Sequence, residues 1–521
     1  MSKSLVKSGS KLLILTFSSR ILGLVREMIK AAFLGTSALS DAFSVAFLIP
    51  NLLRRLFAEN SISVAFIPTF RKYLDSRTQS ETKDFLSATF TLITCFTTIT
   101  VIAGIALTPL IVPIFGTTTD ETVFLTRIMF PYLAVISVAA FFQGILNGVK
   151  IFSPSGFTPI LFNICIIAFT WFLSPYVANP ARAMAIGVMV GGTIQALFQL
   201  PFVLRQGFSF SFVSIKKAFS NPGTKTVLKL IGPTIIGMAA YQLNDLVSTI
   251  LAGNAGPGVV SSLTYSLRLQ ELILGVFAVS IGTVILPDLS CHANDKNWIA
   301  FNGLLAKSMN IIALITIPLT FYSLVSAEGL ISLVFKSRNF SDASVKLTLQ
   351  AFLWHISGLY FIALNRIISP AFYAQSNTKD PTLAGILAFG VNIAIALILV
   401  GPMKGGGIAL ALSLASLSNT ILLIFFMRKN SAFSVSLLLR SAVKYALKLT
   451  TFSIIAAAPI LYFRKSLYAY FANHHKLISQ GVPLGISLIV FGGIGMSLLL
   501  ISRDTIALQV FSGLKKKIHN K

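Results

Sequence analysis

Acidic residues are scarce in this chain: 16 Asp and Glu among 521 residues, against 42 Lys and Arg. Charge of either sign makes up only 11%, where a soluble domain carries about 25%, and 55% of the residues are hydrophobic. That shortage excludes one large soluble core, which would need far more polar surface, and points to a polytopic membrane protein. Cysteine is scarcer still. Cys95, Cys165 and Cys291 lie in or beside apolar segments without CxxC spacing, so neither a disulfide framework nor a metal site is predicted. The histidines, His292, His355, His474, His475 and His519, have no helical ligand spacing. No HExxH, GxSxG or P-loop sequence occurs, which leaves metalloprotease, serine hydrolase and ATPase chemistry without their motifs. A transporter is expected rather than an enzyme.

The formal net charge of +26 would suggest nucleic acid in a soluble protein. Here most Lys and Arg fall in short loops between apolar segments, as the positive-inside rule requires, and no nucleic-acid partner is expected. Lys3, Lys7 and Lys11 precede an apolar run in the manner of a signal peptide. Arg20 and Arg26 interrupt that run and no small-residue cleavage site follows, so it reads as a first, retained membrane helix.

About fourteen segments reach the roughly 20 residues that span a bilayer. They lie near 11–35, 40–68, 86–115, 121–147, 155–175, 182–204, 225–252, 259–287, 306–335, 347–375, 381–401, 406–428, 440–463 and 480–502. These are too long for barrel strands, so the expected fold is all-α. Basic groups at the N-terminus, Arg71–Lys83, Lys216–Lys229, Arg428–Lys444 and Lys515–Lys517 fall on one side if the spans number fourteen, which puts both termini in the cytoplasm. Lys336, Arg338, Arg464 and Lys465 are exceptions.

The chain also repeats itself. SISVAFIPTF at 61–70 answers SIGTVILPDL at 280–289, and FNICII at 162–167 answers VNIAIA at 391–396. An even number of spans per copy makes this a parallel repeat, a common transporter plan with the substrate site between the halves. The expected division is a first lobe at 1–222, a second at 223–432, and two further spans with a basic tail at 433–521.

Against this apolar background, charge inside a span is informative, because it costs roughly 2.5–3.5 kcal/mol at the bilayer centre on insertion scales. Arg20, Arg26 and Lys30 lie in the first expected span. Arg20 and Arg26 are about 120° apart around a helix and can face one broad cavity, the more so if Gly23 permits a bend. Glu27 can pair with one of these cations but cannot neutralise all three. In the second span Arg55 and Glu59 can pair four apart, Arg54 is turned about 100° away, and Asp41 can neutralise or position Arg26. Arg268 and Glu271 share a face of the eighth span. In the seventh, Asn244 and Asp245 interrupt an apolar run, and Asp245 can bind a cation or proton or answer Arg268. Arg366 adds a cation in the second half. Several arginines with few acids describe a receptor for phosphate or carboxylate, since guanidinium donates two parallel hydrogen bonds and keeps its charge when buried.

The stretch SRILGLVREMIKAAFLG, followed by DAFSVAFLIPNLLRRLFAENSISVAFIP, resembles the N-terminal signature of the MurJ/MviN family, and the likeness in span number and repeat extends over the whole chain. Members are lipid II flippases of the multidrug/oligosaccharidyl-lipid/polysaccharide exporter superfamily. The resemblance implies a multi-pass protein of the bacterial inner membrane. Such a protein moves an undecaprenyl-diphosphate-linked peptidoglycan precursor from the cytoplasmic to the periplasmic face by alternating access. It implies Arg20, Arg26, Arg54 and Arg268 as substrate ligands, Asp41, Glu59 and Glu271 as supporting acids, and a groove for the lipid tail at roughly 440–502. Membrane lipids and the cell-wall synthesis machinery are the further partners it implies. No cofactor is expected. Na+ or H+ coupling through Asp245 and Asn392 stays open, and Ala396 stands where a further acid would be sought. Many relatives carry an acid just before the second-lobe arginine; Leu267 occupies that place, leaving Glu271 as the partner of Arg268. Export of another polyprenyl-linked glycan or of drugs is the alternative within the superfamily.

Overall fold

The computed structural model describes the backbone of residues 3–59, 62–117 and 120–509, and within it the side chains from residue 15 onward except 57–59, 63, 233–241 and 275–284. Every regular element among the described residues is helical. Two compact units divide at Ser261. The first holds α1 (Lys3–Leu34), α2 (Ala38–Leu53), α3 (Ile67–Ser76), α4 (Gln79–Ile111), α5 (Asp120–Met129), α6 (Tyr132–Gly148), α7 (Ser153–Leu173), α8 (Pro180–Arg205), α9 (Ile215–Ser220) and α10 (Pro222–Asn254). The long α11 (Val259–Asn294) starts at its edge. The second unit continues with α12 (Trp298–Val325), α13 (Ala327–Phe335), α14 (Asp342–Ser357), α15 (Leu359–Tyr373), α16 (Lys379–Met403), α17 (Gly405–Arg428), α18 (Val435–Tyr470) and α19 (Val482–Ile501). The boundary expected at 222/223 follows the internal repeat; compactness instead keeps α10 with the first unit, where it packs on the segments following α2 and α4.

Among the described residues nine helical spans are long and apolar enough to cross a bilayer, or ten when α14 and α15 count as one. The protein is thus an all-α polytopic membrane protein. The remaining expected spans fall on α1, on α2 with the turns that follow it, on α10 and on α11. Three expected spans divide between two α-helices, 306–335 doing so at Ser326, between α12 and α13. α5 ends at Met129, and Pro131 caps the start of α6, where its missing amide proton removes no hydrogen bond from the helix. The α14–α15 span bends by 40° at Gly358, where an added Cβ would collide with Ser413 Oγ.

The core of the first unit is aromatic. Phe66 and Phe70, one helical turn apart, stack at 5.6 Å, and Phe85 and Phe141 close on Phe66 at 5.7 and 5.3 Å. Phe66 meets the surface of α6 at Gly144 and Phe70 meets it at Gly148, small residues four apart that let another element approach closely. A Cβ at Gly144 would lie 2.6 Å from Ile62 and 2.8 Å from Phe66. Gly144→Val is therefore expected to cost about 1–3 kcal/mol through overpacking, read as a lowered melting temperature in detergent, whereas the same change at Gly207, with nothing within 4 Å, strains only its left-handed backbone.

In the second unit α18 and α19 pack on α12 through Tyr322, Ala456, Ala457, Ile460 and Phe491, and the Tyr322 hydroxyl donates to the Leu484 carbonyl at 2.9 Å. Past α19, buried Asp504 accepts from Lys448 Nζ at 2.6 Å, the Tyr445 hydroxyl at 3.0 Å and the Ala507 amide at 2.9 Å. Burial alone would raise its carboxyl, but these donors outweigh it and hold the group below the usual carboxylate range. Basic residues 515–517 lie outside the described residues.

Candidate functional site

The first two charged helices meet at a lysine. Lys30, almost fully buried on α1, donates to Ser44 Oγ of α2 at 2.5 Å and stands 5.7 Å from the Phe43 ring centre. A buried ammonium needs such partners, and this one is occupied in joining α1 to α2. Up the same helix Arg26 Nη2 meets Glu27 Oε1 at 2.7 Å, with 14% and 6% of the side chains exposed. Arg20 is exposed. α1 is one uninterrupted helix, and Gly23 faces Asn163 of α7, whose side-chain amide donates to the Pro159 carbonyl at 2.9 Å and the Ser19 carbonyl at 3.4 Å.

Beyond Pro50 the chain leaves α-helical geometry for π-helical turns at Arg54–Glu59 and Ile62–Phe66. Such turns widen the helix and often mark functional segments. Arg54 Nε donates to Asn51 Oδ1 at 2.9 Å. Arg55 Nη1 reaches α10, 3.3 Å from Asp245 Oδ2 and 3.5 Å from Gln242 Oε1. The Glu59 side chain, expected opposite Arg55, lies outside the described residues. Asp245, read in sequence as an ion ligand or an answer to Arg268, thus has its carboxylate on Arg55.

Asp41 has a different partner from the one expected. Its carboxylate, buried at 2% exposure, accepts from the Gly258 amide at 2.6 Å and the Ser261 amide at 2.7 Å. Gly258 stands just ahead of α11 and Ser261 is its third residue, and the opening turn of a helix has no intrahelical carbonyls to receive such amides. Gly258 holds φ at +82°, a left-handed backbone that glycine adopts without cost and that presents its amide to the acid. Asp41 is therefore the cap of α11, supplied by another helix, rather than a neutraliser of Arg26. The sequence signal was the Gly-Pro-Gly turn at 256–258 ahead of VVSS; Gln242 carried none.

In the second unit Arg268 Nη1 meets Glu271 Oε2 at 2.7 Å, as the three-residue spacing predicts, with 41% and 59% of the side chains exposed. Asn392 of α16 is buried, as is Ala396 one turn on, and Arg366 is exposed on α15. No group of three or more His, Cys, Asp or Glu able to hold a metal ion stands together among the described residues.

In the sequence of α1, α2, the turn after it and the span around Asp245, the five cations Arg20, Arg26, Lys30, Arg54 and Arg55 stand against four acids, Glu27, Asp41, Glu59 and Asp245, and the Asp41 carboxylate is committed to backbone amides. A cationic excess thus remains on the helices that interrupt the apolar pattern. Partly exposed guanidinium groups with few acids can bind an anion bidentately and release it.

A sequence model described as "Lipid II flippase MurJ" matches residues 30–481. A protein of Treponema pallidum (strain Nichols) named "Probable lipid II flippase MurJ" is 47% identical over 518 residues, 98% of each chain. A solved structure titled "Lipid II flippase MurJ, inward closed conformation" superposes with a TM-score of 0.78 at 25% identity, over 95% of this chain and 99% of that one. An inward-facing multidrug resistance MATE family transporter of the MOP superfamily shares the fold at 14% identity, with a TM-score of 0.66 over 81% of this chain and 96% of the other.

Proposed function

The chain belongs to the lipid II flippase MurJ family, and from that premise we propose a route by which its charged residues carry the substrate. The protein is a lipid II flippase, a multi-pass membrane transporter whose substrate is lipid II. Arg20, Arg26, Arg54 and Arg268 hold the diphosphate and part of the headgroup, entering from the cytoplasmic face of the inner membrane and leaving on the periplasmic face by alternating access. Both termini are cytoplasmic, and the polyprenyl tail follows α18 and α19. Glu271, beside Arg268, keeps that guanidinium oriented until the anion arrives. Glu59 and Asp41 support the first-lobe cations, Asp41 by holding α11. Transport needs no covalent step, and no cofactor is part of this reading. If an ion drives the cycle, Asp245 changes partners with Arg55, and Asn392 contributes a neutral oxygen.

The observation that carries this reading is the cationic excess on α1 and the turn after α2, together with the partial exposure of Arg268, in a chain that otherwise avoids charge. Each arginine is expected to supply a charge-assisted contact worth about 1.5–3 kcal/mol. Alanine at Arg20, Arg54 or Arg268 should therefore abolish or sharply reduce complementation of a flippase-depleted strain while membrane levels stay normal. Lipid II would then remain accessible only from the cytoplasmic side. Full complementation by the quadruple alanine variant would sink the proposed site.

A further inference from the structure

α11 has two sides. Tyr265, Ser266, Leu269 and Gln270 are buried, whereas Arg268 and Glu271 are partly or largely exposed. Ser266 and Gln270 are four apart, on one face, and each is two positions from Arg268, which turns them about 200° from it around the helix. Both end on one residue of α14. Ser266 Oγ and His355 Nδ1 share a hydrogen bond at 2.6 Å, and the Gln270 side-chain amide donates to the His355 carbonyl.

His355 lies where the α14–α15 span breaks. At the break the Gly358 amide turns to the Ile356 carbonyl, and the Trp354 carbonyl accepts the Ser357 hydroxyl at 2.7 Å and the Ser413 hydroxyl of α17 at 2.6 Å. Interrupted membrane helices need such side chains to satisfy backbone groups that lipid cannot. The break is thus fastened on both flanks, by α17 at Trp354 and by α11 at His355. A histidine fully inside apolar surroundings is costly as a mere space-filler, because its ring nitrogens must be hydrogen-bonded.

We infer that His355 is a positioning residue: its ring and carbonyl grip Ser266 and Gln270 at two points, fix the rotation of α11, and so aim Arg268 away from the core. One point would leave the helix free to turn; two points a helical turn apart on the same face do not. The consequence for transport rests on Arg268 being a substrate ligand, whereas the rotation itself does not.

The test measures rotation directly. In a background with Cys95, Cys165 and Cys291 replaced by serine, Arg268→Cys and Leu269→Cys are labelled, one at a time, with a charged, membrane-impermeant maleimide in purified full-length protein without substrate. With the clasp intact the Arg268→Cys variant should react several-fold faster than the Leu269→Cys variant. Combining Ser266→Ala with Gln270→Leu, or changing His355→Ala, should bring the two rates together or invert them, and Ser266→Thr, which keeps the hydroxyl, should leave the ratio alone. The inference is overturned if the ratio is unchanged in the clasp variants, or if both rates rise in parallel, which is loosening without rotation. The α11 variants keep the test available should His355→Ala not fold. Lipid II binding that persists in Arg268→Ala would instead sink the ligand reading and leave the rotation result standing.

Discussion

Asp41→Asn should abolish lipid II transport while the protein still inserts, and should lower its melting temperature. The carboxylate accepts both the Gly258 and the Ser261 amide, one on each oxygen. Asparagine keeps one oxygen and turns an NH2 towards the other amide, so one buried N–H loses its acceptor. That costs about 1–3 kcal/mol. Losing the charge at the start of α11 adds up to about 2 kcal/mol, because a helix N-terminus favours an anion and this one is buried. The loss falls on the helix that carries Arg268, so function should suffer more than folding. Asp41→Glu keeps the charge but inserts a methylene into a site with 2% exposure, and is expected to retain part of the activity. Melting and complementation unchanged in Asp41→Asn would show that the two amides are satisfied some other way.

That cap illustrates what was legible in the sequence and what was not. Apolar spans could be read because lipid permits only closed backbone hydrogen bonding, and hydropathy reports lipid contact directly. Partners could be read where they are local. Arg268 and Glu271 pair at the three-residue spacing, and Arg26 takes the Glu27 beside it. Partners that depend on packing could not. Arg55 reaches Asp245, 190 positions away, and Asp41 caps a helix 217 positions away. The turn at Arg54–Glu59 is π-helical, so the four-residue pairing rule, which assumes α-geometry, does not transfer to it. The break at Pro131 lies inside the span expected as continuous at 121–147, and Gly358 gave no sign either, because a lone glycine in an apolar run means little until Ser413 is seen against it. The span expected at 440–463 runs from Val435 to Tyr470, since the basic residues Arg440 and, beyond the span, Arg464 and Lys465 suggest loop ends in sequence, whereas the helix continues past them on both sides.

Arg26 is the site residue whose alanine variant is hardest to interpret, and a pair of variants separates its roles. Arg26→Ala leaves the Glu27 carboxylate, 6% exposed, without its guanidinium. Removing one partner of a buried pair costs about 3–5 kcal/mol, and the 14% exposure of Arg26 places this case at the lower end. Lost transport in the single variant could therefore report misfolding alone. Adding Glu27→Gln removes that buried charge and should restore most of the melting temperature. If Arg26 binds the diphosphate, transport should stay lost in the double variant, because the anion still lacks its cation. Glu27→Gln alone should act in the opposite sense: it releases the guanidinium from its acidic neighbour and tightens lipid II binding, at the risk of slowing release. Arg26→Lys keeps the charge but not the planar fork, and should fall between the wild type and alanine. Recovery of both stability and transport in the double variant would assign Arg26 to the fold and remove it from the substrate site.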